Sequence, residues 1–128
     1  MHFKRVFSNS PWEEKVAYCR AIKVGKHIYV SGTTSIKDGK VYAPDDGYEQ
    51  TKRCFEIIRE SLHEFGTDVH CIIRTRMFVT DIKRWEEYSR AHHAVFKDNP
   101  PVTTMVEVQS LIDPQMLIEI EVEAVVEI

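Results

Sequence analysis

The C-terminal segment constrains this chain most. In "MLIEIEVEAVVEI", Ile118, Ile120, Val122, Ala124 and Val126 alternate with Glu119, Glu121, Glu123, Val125 and Glu127. Strict alternation predicts a β-strand with one apolar face and one carboxylate-bearing face. The apolar face belongs in a core. The glutamate face is either wet or lies at a subunit boundary.

The rest of the chain supplies what that core needs. "FKRVF" reads as a short first strand, and "AYCRAIKVG" (17–25) alternates well enough for a second. "KHIYVSGTTSI" follows after a tight Val-Gly-Lys turn, which makes a hairpin. Asp38-Gly39 within "IKDGKVY" marks another hairpin turn. The segment "PDDGYEQTKRCFEIIRESLHEFG" is helical, because Cys54, Phe55, Ile58, Leu62 and Phe65 recur at three- and four-residue steps. Asp45 or Asp46 caps its start, and Gly66 stands where it should stop. "CIIRTRMFVTD" reads as a strand. "DIKRWEEYSRAHHAVFKD" is a second helix with Asp81 as its N-cap and Trp85, Tyr88 and Phe96 facing inward, ended by Pro100-Pro101. "VTTMVEV" and the C-terminal segment complete the set.

The predicted order is β-β-β-α-β-α-β-β in a single domain, residues 1–128. Helices of roughly 15 to 20 residues between strands point to an α+β fold, with one sheet and both helices on one face. The other sheet face then needs cover, and a small domain often finds it by oligomerising.

Charge and composition narrow the function. The net charge is −3, and no basic stripe is present to fit a nucleic acid. No apolar run approaches the ~20 residues of a membrane helix, and the first ten residues lack a signal-peptide pattern. Cys19, Cys54 and Cys71 show no C-x-x-C spacing, so they read as free thiols in a reducing cytoplasm. His92 and His93 are adjacent and point about 100° apart on a helix, a poor pair for one metal, and no metal site is expected. No nucleophile elbow and no Gly-rich phosphate loop occurs.

Two features stand out. Arg74 and Arg76 leave one strand on the same side. They either pair with carboxylates such as Glu119 or Glu121 or form an anion clamp. Gly32, inside the strand pattern "VSGTT", signals a bulge or a close approach of the backbone to another group.

"YCRAIKVGKHIYVSGTTS", "CIIRTRMFVTDIKRWEEY" and "PPVTTMVEVQSL" with "LIEIEVEAVV" together resemble the YjgF/RidA family of enamine and imine deaminases. The resemblance rests on the order and spacing of V-S-G, V-T-D-I, M-V-E-V and I-E-I-E over nearly the whole chain. It implies a chorismate-mutase-like mixed-sheet fold, a homotrimer with small-molecule clefts between subunits, and hydrolysis of an imine to a carbonyl compound and ammonia without a cofactor. Carried over residue by residue, it makes Glu119 the group that orients the attacking water and Tyr18 a pocket residue. The arginine that holds the substrate carboxylate in typical members is replaced by Thr103, followed by Thr104. The usual helix asparagine is Ser89, and the glutamine after S-G is Thr33. This looks like a divergent branch, with little standard 2-aminoacrylate deaminase activity expected. If the cleft binds an anion, Arg76 is the first candidate to supply the charge and Arg20 the second, with Arg74 and Arg90 behind them. The alternative is a trimer that binds a small metabolite without turnover.

Overall fold

A computed structural model describes residues 2–127; the two end residues of the expected 1–128 domain lie outside that range. Strand β1 (Phe3–Val6) is followed by helix α1 (Pro11–Val16), strand β2 (Ala21–Val24) and strand β3 (His27–Thr34). A small hairpin, β4 (Ile36–Lys37) and β5 (Lys40–Val41), leads into helix α2 (Gly47–Glu64). Then come β6 (Ile72–Val79), α3 (Trp85–Phe96), β7 (Val102–Glu107) and β8 (Ile118–Val125).

Six strands form one mixed sheet in the order β1-β2-β3-β8-β6-β7, with β6 and β7 the parallel pair. The alternation in β8 is realised as read: Ile118, Ile120, Val122 and Ala124 are buried, and the intervening residues are only half-covered. Cys54, Phe55, Ile58 and Leu62 of α2 join Tyr88 and Phe96 of α3 in the same core. Both long helices therefore cover one sheet face. The other face carries Glu119, Glu121 and Glu123 beside Arg74, Arg76 and Phe78.

Several expectations needed correction. The described residues contain three α-helices, not two. Ser10 caps α1 and Pro11 opens it, and Ala17 closes it in the left-handed region at φ 69°. The second strand consequently begins at Ala21, and residues 17–20 are not part of it. The Asp38-Gly39 hairpin forms with both residues at positive φ, but β4 and β5 make a separate two-stranded sheet. Of the two candidate caps of α2, Asp46 is the one used, accepting from the Glu49 N–H at 3.0 Å, as expected. Asp81 caps a 3-10 turn (Ile82–Arg84) that runs into α3. Trp85 faces outward, 52% exposed, because it is the first residue after that turn.

The loop before β8 is tied to α2 by one side chain. Buried Gln50 donates to the carbonyls of Ala43 and Gln115 and accepts from the Leu117 N–H at 2.9 Å. That fixes where β8 begins, and so where Glu119 falls. Among the described residues, no helix is long and apolar enough to cross a membrane.

Candidate functional site

The β3–β8 ladder breaks register between Val30 and Thr33, so Ser31 and Gly32 form a bulge. Past it, Thr33 pairs with Ile120 and Thr34 with Glu119. The side chain of Glu119 lies back across the bulge, against Gly32. A Cβ built on Gly32 would collide with the Glu119 carboxylate. The sequence left two readings of Gly32, a bulge or a close approach, and both hold: the group that approaches is Glu119.

Arg20 lies on the other side of the same bulge. It is 9% exposed, and its Nη2 donates to the Gly32 carbonyl at 2.6 Å. Its guanidinium stands 6.0 Å from the centre of the Tyr18 ring, and its buried Nε has no hydrogen-bond partner among the described residues. The segment around it is pinned by the Ser31 hydroxyl, which donates to the Cys19 carbonyl at 2.7 Å. Burial pushes the Glu119 carboxyl above its ordinary range, the Arg20 charge draws it part of the way back, and Glu121 pushes it up again. No ion pair joins Arg20 and Glu119 among the described residues, so the carboxylate is free of a direct cationic partner there. Behind the bulge, Thr33 is fully buried and its hydroxyl donates to the Ser31 carbonyl at 2.8 Å. The Cys54 thiol reaches the Thr33 carbonyl at 3.3 Å; burial, then the Glu119 charge, hold it far above the ordinary thiol range and protonated.

Arg76 is engaged elsewhere. Its Nη1 donates to Glu121 at 3.2 Å and to Glu123 at 3.1 Å, while Arg74 lies 3.7 Å from Glu123. Of the carboxylates suggested by the alternation, Glu121 pairs with Arg76 and Glu119 does not. Thr104 stands beside Arg76 in the β6–β7 register, exposed on the same open face. Arg90 stacks over the Tyr48 ring at 5.1 Å, away from this group.

Ser89 and Thr103 belong to a third place, a cavity of about 590 Å³ between α3 and β7. Met77, Met105 and Phe96 form much of its wall, and Trp85 and Pro101 also line it. Thr75, fully buried on β6, lies 2.6 Å from the Thr103 hydroxyl and 2.9 Å from Nε2 of His92. His92 sits 4.6 Å from the Phe96 ring centre and 5.8 Å from that of Phe55. Burial lowers its pKa to about 4, so the imidazole is neutral near pH 7.

Within one chain the expected residues thus fall into three groups: Tyr18, Arg20, Thr33 and Glu119 at the bulge; Arg76 and Thr104 on the open face; Ser89 and Thr103 at the α3–β7 cavity. Sequence reasoning missed Thr75 and Met77. Alternation shows only that Thr75 and Met77 leave their strand on the face opposite Arg74 and Arg76; that they stand beside Thr103 and Met105 follows from the parallel pairing of β6 and β7, which leaves no local trace. Nothing local in the sequence marks His92 as the partner of Thr75.

Comparison with known proteins gives a consistent result. A family model described as endoribonuclease L-PSP matches residues 8–126. A protein of Streptomyces coelicolor is 40% identical over 121 residues, covering 94% of this chain and 90% of its own. A RutC family protein of Pyrococcus abyssi is 31% identical over 106 residues, covering 81% and 82%. The crystal structure of a YjgF/YER057c/UK114 family member from Mycobacterium tuberculosis superposes with a TM-score of 0.90 at 38% identity, covering 98% of this chain and all of that one.

Proposed function

This chain belongs to the YjgF/RidA family, whose family model carries the description endoribonuclease L-PSP, and from that premise we propose that it hydrolyses a small imine or enamine to a carbonyl compound and ammonia. The observation that carries this reading is the Glu119 carboxylate, half-buried against Gly32 with the Arg20 guanidinium close by. A carboxylate whose affinity for a proton is raised by burial and drawn part of the way back by a nearby charge is a stronger base than an ordinary surface glutamate, as a general-base role requires.

The step balances with water alone. Glu119 takes a proton from water as the oxygen bonds to the C=N carbon. The π pair moves to nitrogen, which takes that proton back from Glu119. In the carbinolamine Glu119 then draws the hydroxyl proton and passes it to nitrogen as the C–N bond breaks, so ammonia leaves, the carbonyl remains and the carboxylate is regenerated. An enamine enters the same route after tautomerising to its imine.

On this reading the protein is a single cytoplasmic domain that assembles as a homotrimer, whose clefts bring the bulge of one subunit to the α3–β7 cavity of the next. The half-covered sheet face supports assembly. With a net charge of −3 and no basic stripe, the chain is poorly matched to a polyanion such as RNA. Thr103 in place of an arginine removes a bidentate charged contact to a substrate carboxylate, worth about 1.5–3 kcal/mol. The 2-aminoacrylate-derived imine is accordingly a poor substrate.

A coupled ammonia-release assay over a panel of imines tests the reading. Turnover of at least one imine, abolished in Glu119→Gln, is expected. Turnover unaffected by that substitution, or none on any imine, overturns it in favour of a trimer that binds a metabolite without converting it.

A further inference from the structure

The α3–β7 cavity differs in character from the bulge. Its volume of about 590 Å³ suits a small molecule, whereas its walls are mainly thioether and aromatic. Met77 and Phe96 are each 3% exposed, so that side is preformed rather than recruited. Lys97 and His93 line it too, but both are exposed and screened by water.

The polar end of the cavity is a chain of neutral groups. The Thr75 hydroxyl has one proton and sits between His92 and Thr103. If Nε2 of His92 accepts the Thr75 proton, Thr75 accepts from Thr103, and the Thr103 oxygen keeps a lone pair for a ligand. If His92 donates instead, Thr75 donates to Thr103, whose own proton becomes free. Thr103 can therefore present an acceptor or a donor, at the expense of one tautomer change two groups away. Such an end matches an amide, carbonyl or imine, which is neutral, and itself offers a carboxylate no cation; Lys97, on the cavity's exposed wall, is screened by water.

We infer that this cavity binds an uncharged small molecule through an apolar or aromatic side chain packed on Met77, Met105 and Phe96, with its neutral polar group on the Thr103 hydroxyl. This deepens the proposed function by naming its substrate class, neutral imines with an apolar substituent. Only the reacting group rests on the Glu119 reading. The cavity's preference does not.

Phenylacetamide and phenylacetate serve as probes on the full chain, by calorimetry and by the methionine methyl signals in NMR. Phenylacetamide is expected to bind at least roughly tenfold tighter than phenylacetate and to shift the Met77 and Met105 methyls. Thr103→Val should weaken it by roughly 3- to 10-fold, the effect of one neutral hydrogen bond. Thr103→Arg should reverse the preference toward phenylacetate. Thr103 is exposed, so these variants keep the fold, which a thermal melt checks. Glu119→Gln should leave phenylacetamide affinity unchanged while removing turnover. Equal or tighter binding of phenylacetate, unmoved methionine methyls, no binding of either probe, or an unaffected Thr103→Val overturns the inference. Loss of the imine chemistry with the amide preference intact overturns only the proposed function.

Discussion

At Gly32, one added methyl group meets the Glu119 carboxylate. Gly32→Ala must push that side chain out of its place, at about 1–3 kcal/mol of overpacking. A displaced base should lower turnover on the order of 10²-fold. The check is a double-mutant cycle. In a Glu119→Ser background, which vacates the space, adding Gly32→Ala should cost almost no stability. If Gly32→Ala is silent in the wild-type background, the carboxylate does not lie on the bulge. Arg20 acts on the same group through charge. It holds the Glu119 carboxyl below the level that burial alone would set. Arg20→Gln should let that carboxyl rise further, so the base is lost at a higher pH on the way down. The acid limb of the kcat/KM profile is therefore expected to move to higher pH, and Arg20→Lys should partly restore it. An unmoved limb would show that Arg20 only braces the Gly32 carbonyl. Glu119 itself was legible in the sequence, as the first glutamate of an alternating strand in a family-like motif. The identity of its cation was not. The resemblance favours Arg76, whose strand position is usually small and uncharged in the family pattern, yet Arg76 meets Glu121 and Glu123.

Among the elements, the junction of α2 and α3 has an unusual construction. Glu87, on α3, accepts from the Gly47 N–H at 3.0 Å, an otherwise orphan donor in the first turn of α2. Arg84 clamps the same carboxylate at 2.8 and 2.9 Å and reaches across to Asp45 at 2.8 Å. These bonds hold the Glu87 carboxyl below its ordinary range, Arg84 contributing most. Gly47 has no room for a side chain, since a Cβ would lie 2.8 Å from Tyr88 and 2.9 Å from Glu87. Glu87→Ala removes three bonds to a charged acceptor. About 1.5–3 kcal/mol is expected, toward the lower end because both side chains are partly in water. Urea unfolding measures it. A loss under about 0.5 kcal/mol, within the range of ordinary surface substitutions, would mean the junction adds nothing beyond packing. The helices themselves were readable from apolar spacing, whereas this clamp joins residues some forty positions apart and leaves no periodic trace.

For the whole molecule, the open sheet face sets the expectation. Arg74, Arg76, Glu121 and Glu123 form a mutually neutralising patch there, beside half-covered Phe78 and exposed Val106. A face of this kind, charge-matched and partly apolar, is suited to meeting copies of itself. Sedimentation should give about 45 kDa, three copies of a 14.9 kDa chain. Glu121→Arg places like charges together and should shift the population toward monomer, with any imine turnover lost in parallel. A clean monomer of the wild-type chain at micromolar concentration would remove the intersubunit cleft and the reading that depends on it.

The sequence by itself determined the elements whose signal is local and periodic. The β8 alternation, the apolar spacing of α2 and the Asp38-Gly39 turn each follow from neighbours a few residues apart, so composition and spacing carry them. It also carried the position of Glu119 and the meaning of Gly32 as a departure from plain strand. Tertiary structure alone decided what those residues touch. A six-residue helix such as α1 is too short for its apolar pattern to show, and is held by its cap and by buried Glu13, whose carboxylate accepts from the Ser8 N–H at 3.0 Å. Arg20 reaches the Gly32 carbonyl beside Glu119 at the register shift between Val30 and Thr33, while the β6–β8 register sets Arg76 opposite Glu121. The Thr103–Thr75–His92 chain likewise depends on the parallel pairing of β6 with β7 and on α3 packing over them. Periodicity tells which face a side chain leaves from, but only the pairing of distant strands sets which other side chain it meets.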